Sequence, residues 1–67
     1  MITVTVQFGA VRRRWAAVDV DRAVELAAQL GRELEFDQDS LDLIPAISRG
    51  STLATVVAGE LVSITLS

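Results

Sequence analysis

Cysteine, histidine and tyrosine are absent from this chain of 67 residues, and none of its basic residues is lysine. Without cysteine there is no disulfide framework, no thiolate ligand and no thiol nucleophile. Without histidine there is no imidazole ligand and no side chain of ordinary pKa near neutrality to act as a base. These absences argue against a transition-metal site and against a Ser-His catalytic pair. Carboxylate-only binding of Ca²⁺ or Mg²⁺ stays chemically open. With no lysine, no side-chain amine can form a Schiff base or accept an isopeptide bond. No apolar run approaches the ~20 residues of a membrane span, and no charged n-region leads into an apolar h-region. The expectation is a cytoplasmic protein without a membrane span.

Apolar residues are plentiful. They make up 51% of the chain, and the mean hydropathy is +0.44. A domain this small buries only about 60% of the surface its unfolded chain exposes. Some apolar surface should therefore face a partner, most simply a second copy. Many of these residues are alanine, which adds little adhesive area. The formal net charge of −3 disfavours non-specific binding of nucleic acid.

Residues 2–8 alternate strictly, with Ile2, Val4, Val6 and Phe8 on one face and Thr3, Thr5 and Gln7 on the other. This is the pattern of a half-buried strand. Gly9-Ala10 reads as a tight turn, and residues 11–18 as a second strand. Its inward set is either Ala16, Val18 and Val20, or Val11, Trp15 and Ala17. Asp19 and Asp21 are both candidate N-caps for a helix over 22–34. Val24, Ala27, Leu30 and Leu34 share one face of that helix. Gly31 is either its stop or a tolerated interior glycine. Residues 35–42 read as an acidic turn, and 43–48 as a short strand that Pro45 confines to an edge, an end or a bulge. After the Arg49-Gly50-Ser51 turn, 52–57 is a strand or one helical turn. The final strand turns Val62, Ile64 and Leu66 inward.

The order strand, strand, helix, strand, short element, strand suggests a sheet packed on one helix, with the first and last strands paired parallel at its centre. Gly50-Ser51-Thr52-Leu53, followed by the strand Gly59-Glu60-Leu61-Val62-Ser63-Ile64-Thr65-Leu66, resembles the ending of the ubiquitin-like β-grasp family. The resemblance implies an α+β β-grasp domain over residues 1–67, with a mixed four- or five-stranded sheet. Sulfur carriers of that family end in a flexible Gly-Gly that threads a partner's channel. This chain reads Thr65-Leu66-Ser67 there, which argues against carrier chemistry. It is more similar to the YukD-like bacterial members that lack Gly-Gly. These are associated with type VII secretion and look like non-conjugated interaction modules.

Three other short signals each have an ordinary structural alternative. Asp39-Ser40-Leu41 resembles the phosphopantetheine site of acyl carrier proteins, but strands precede it and Pro45 follows closely. Glu35, Asp37, Asp39 and Asp42 fail as an EF-hand loop. With Asp37 at position one, Leu41 and Asp42 occupy the places that need an oxygen ligand and a glycine. Arg12, Arg14 and Trp15 are the candidate interface residues, since arginine and tryptophan anchor many interfaces. Arginine on a strand equally discourages edge-to-edge pairing.

The resulting expectation is a non-enzymatic interaction or assembly module. It would be homo-oligomeric or a small subunit of a larger complex, have a protein partner, and need no cofactor, metal or nucleic acid. The alternatives are a carrier, of sulfur at the C-terminus or of an acyl chain at Ser40, and a phage or virus structural subunit. The expected core is Ile2, Val4, Val6, Val24, Ala27, Leu30, Ile44, Leu53, Val62, Ile64 and Leu66.

Overall fold

Period-two alternation sets the sheet. In the computed structural model, which describes all residues from Met1 to Ser67, strand β1 spans Ile2–Phe8 and β2 spans Val11–Ala17. They pair antiparallel around Gly9-Ala10, from Phe8 opposite Val11 to Ile2 opposite Ala17. Helix α1 spans Val20–Glu33. Asp19 is its N-cap, with the side chain accepting from the Arg22 N–H at 2.9 Å. Asp21 instead lies in the first turn, where its charge suits the helix N-terminus. Strands β3 (Thr52–Val57) and β4 (Glu60–Leu66) form a second hairpin around Ala58-Gly59.

The four strands lie in the order β2-β1-β4-β3. Every neighbouring pair is antiparallel, including β1 with β4. The fold is thus α+β with a four-stranded sheet, but the expected parallel pairing of first and last strands does not form. The cause lies between α1 and β3. Residues 43–48 are not a strand. A short helix, α2 (Gln38–Leu43), runs into a 3-10 turn at Ile44–Ala46. The apolar side chains that go inward here, Leu41, Ile44 and Ile47, recur every third residue, which is a helical rather than a strand period. Pro45 sits at the start of the 3-10 turn, where its missing N–H costs nothing. The chain therefore leaves β2 and enters β3 at the same end of the sheet. That fixes β4 antiparallel to β1.

One face of the sheet carries the core. Ile2, Val4, Val6, Val62, Ile64 and Leu66 are buried against Ala23, Ala27 and Leu30 of α1, with Ile44 at the centre of the helical return. Val24 and Leu53, expected in the core, are half-buried at its margin. Ala23, Phe36 and Ile47 are buried without having been singled out by the sequence pattern, and Ala17, from one of the two inward sets offered for β2, is buried as well. On β2 the inward set is Val11, Arg13, Trp15 and Ala17, of which only Ala17 is buried. Val18 and Val20 are exposed.

Gly31 is the point of closest packing between the helices. A Cβ there would lie 2.9 Å from Ile44 Cδ1 and 3.0 Å from Leu41 Cδ2. Of the two alternatives it is the interior glycine, since α1 continues through it to Glu33. Its missing side chain leaves room for α2 and the turn that follows it. Three residues later α1 ends at Leu34 in a Schellman motif. The Phe36 N–H donates to the Gly31 carbonyl at 2.9 Å, and the Glu35 N–H to the Arg32 carbonyl at 3.1 Å. At the start of β3, Gly50 and Ser51 together oppose Leu66. The Gly50 N–H donates to the Leu66 carbonyl at 2.6 Å, and the Leu66 N–H to the Ser51 carbonyl at 3.1 Å. This is a β-bulge whose first residue, at φ +89°, needs glycine.

Two non-glycine residues hold left-handed backbone, Glu35 at φ 61° and Ala58 at φ 51°. Each strains a conformation that glycine or asparagine adopts readily. Ala58→Asn and Glu35→Gly should each stabilise the fold by roughly 0.5–1 kcal/mol. Urea unfolding should show higher midpoints with an unchanged denaturant slope.

Candidate functional site

The second face of the sheet has no covering layer. It presents Thr3, Thr5 and Gln7 from β1, Arg12, Arg14 and Ala16 from β2, and Ser63 and Thr65 from β4, with the outer residues of β3 beside them. Alternation that buries valine and isoleucine on one side necessarily puts these residues on the other. The Arg12 guanidinium donates to Gln7 Oε1 at 3.1 Å across the β1–β2 ladder. The Thr52 and Thr65 hydroxyls share a hydrogen bond of 2.8 Å across β3–β4. Val56 and Leu61 face each other at the far end, 65% and 64% exposed.

By register no acidic residue belongs to this face, and Glu60 borders it only at the turn end, beside Gln7, Leu61 and Ser63. The acids lie in α1, α2 and the connecting segments, except Glu60, which opens β4 on the opposite side of the sheet. The carboxylates thus gather on the helix side, whereas the arginines are divided: Arg12 and Arg14 lie on the open face, Arg13 on the helix side of β2, and Arg22 and Arg32 in α1. The expected interface residues divide accordingly. Arg12 and Arg14 share the open face. Trp15 lies on the opposite face, half-buried against the core. They do not form one patch.

Asp37 forms the main polar junction in the helical layer. One carboxylate oxygen, Oδ1, accepts from the Ser40 hydroxyl at 2.7 Å and from the Thr55 hydroxyl of β3 at 3.0 Å; Oδ2 accepts from the Ser40 N–H at 3.1 Å. This one side chain caps α2 and ties it to β3. Sequence reading placed Asp37 in an acidic turn. The local signal for a cap was Ser40 three residues on, but Thr55 is distant in sequence, so that link was not legible. Ser40 itself is buried, with its hydroxyl engaged by Asp37. That geometry speaks against its carrying a prosthetic arm. Among Glu35, Asp37, Asp39 and Asp42, no group of three or more gathers in an arrangement that could hold a metal ion. Gln38 instead donates to Asp42 along α2 at 2.8 Å. No helix is long and apolar enough to cross a membrane.

The hydroxyl of Ser40 first, then its N–H and the hydroxyl of Thr55, hold the Asp37 carboxyl below its ordinary value of 3.8. The unfolded chain therefore binds this proton more readily than the folded one. The ionised carboxylate stabilises the fold above that ordinary value, and the contribution is lost as pH falls through the lower folded value. In urea unfolding between about pH 5 and pH 2, wild type should lose stability more steeply than Asp37→Asn. Equal slopes would show that Asp37 contributes nothing to acid sensitivity. No protein family, curated protein or solved structure matches this chain.

Proposed function

We propose that this chain is a non-enzymatic protein-interaction or assembly module that works through its sheet. The placement of the carboxylates carries the reading. One face of the sheet carries no acidic residue by register, and its two edge strands β2 and β3 are unpaired on their outer sides, while the acids collect around the helices and at the β3 edge, where Asp37 bonds Thr55. Such a surface offers hydrogen-bonding side chains and open backbone groups to another protein. The side-chain chemistry favours binding over turnover. The chain lacks thiol and imidazole, and its polar junction at Asp37 is engaged in holding α2 to β3.

The likeness to ubiquitin-like β-grasp proteins enters this reading as a likeness in element order alone. The antiparallel pairing of β1 with β4 departs from it, and the interaction reading does not depend on it. A homo-oligomer or a small subunit of a larger complex fits equally, whether the complex is cellular or viral.

Sedimentation velocity over a wide concentration range tests the proposal, together with mass analysis of what co-purifies from the native host. The expected result is a mass that rises with concentration, or a partner in fixed ratio. A sharp monomer at high concentration with no co-purifying partner would overturn it.

A further inference from the structure

We propose that copies of this chain join head to tail, the β3 edge of one copy pairing antiparallel with the β2 edge of the next. The inference rests on the interaction reading above and names its surface and occupant.

The order β2-β1-β4-β3 leaves β2 and β3 as the free edges, and since every pairing is antiparallel, these two strands run in opposite directions. A second copy set beside the first in the same orientation thus brings its β2 antiparallel to β3. All the helices then lie on one side of a continuous sheet.

The free backbone groups match as well. Each hairpin closes on a two-residue turn, so Val57 and Glu60, and Phe8 and Val11, are hydrogen-bonded pairs, and such pairs alternate along each ladder. The groups left pointing outward belong to Thr52, Ala54 and Val56 on β3 and to Arg12, Arg14 and Ala16 on β2. Both sets have their side chains on the open face, so the two edges can bond without inverting either sheet.

Aligning Ala54 with Arg14 of the second copy sets the remaining contacts. On the open face Arg12 lies opposite the exposed Val56, where its aliphatic stem can cover the valine. On the helix side Trp15 meets Leu53, both half-buried in the single copy, and Val11 meets Val57. Between these apolar pairs, Arg13 comes opposite Thr55, whose hydroxyl donates to Asp37 Oδ1 at 3.0 Å. An exposed guanidinium without an acidic partner is thereby set beside an exposed carboxylate.

Charge also selects against the symmetric arrangements. Pairing β3 with β3 draws together the Asp37 carboxylates of two copies, each bonded to Thr55 of the edge strand. Pairing β2 with β2 opposes two Arg12-Arg13-Arg14 runs. Like charges across a strand pair repel.

Proline at an edge position with an outward N–H removes no bond within the copy but blocks strand addition. Ala54→Pro closes the β3 edge and Arg14→Pro the β2 edge. By sedimentation velocity, wild type should form species that grow with concentration. Each variant alone should stay monomeric, and an equimolar mixture should give a one-to-one dimer and nothing larger. Dimers of Arg14→Pro alone, or of Ala54→Pro alone, point to a symmetric edge and overturn the proposal. So does a mixture that stays monomeric while each variant keeps its circular dichroism spectrum. Arg13→Glu leaves every backbone bond in place and should weaken wild-type association about tenfold or more; unchanged association also overturns the proposal. A wild type that stays monomeric but holds a co-purifying partner preserves the interaction reading and removes the head-to-tail one.

Discussion

Ile44 has to reach the core past Gly31. That close approach organises the molecule more than any other contact. The sheet offers one apolar face, against which α1 buries Ala23, Ala27 and Leu30, with Val24, Leu26, Ala28 and Leu34 packed at the margin. Alanines leave a shallow layer, and a second piece of chain must complete it. Ile44, wholly buried, supplies the missing volume. Position 31, which has no side chain, is where it passes α1, and a Cβ there would press on the ends of Ile44 and Leu41. Burying one such side chain stabilises a fold by about 1.5–3 kcal/mol. In a domain with 15 of 67 residues buried, that is a large share of what holds it together.

The same contact decides topology. Once the residues after α1 pack as α2 and a 3-10 turn, they return the chain to the end of the sheet where β2 finished. Strand direction then follows from two tight hairpins, and β2 and β3 become edges of opposite direction. The surface available to other proteins is thus a consequence of how the core was closed.

The sheet was readable from the sequence because its signal is local. Ile2 to Phe8 and Val62 to Leu66 alternate without a break, and both hairpin turns carry glycine. The helix was readable from the spacing of its apolar face and from Asp19. The segment 43–48 was not. A run such as Leu43-Ile44-Pro45-Ala46-Ile47 fits a short strand as well as a turn of helix, and what decides between them is the space beside Gly31, which no local window contains. The same limit applied at the surface. Arg12, Arg14 and Trp15 were grouped as one interface set, although alternation along β2 puts Trp15 on the other face. Alternation gave no hint that Asp37 would bind Thr55, because that bond joins residues 18 positions apart.

The sheet's handedness has a bearing on any larger assembly. Neighbouring strands rotate by roughly 20–25°, so four strands in the order β2-β1-β4-β3 accumulate about 80–100° per copy. The bulge at Gly50-Ser51 sits at the entrance to β3 and adds to that rotation at the junction. A ribbon of such copies completes a turn in about four subunits. It is a tight coil that exposes little flat surface for lateral stacking, and this separates it physically from the flat, laterally packed sheets of amyloid.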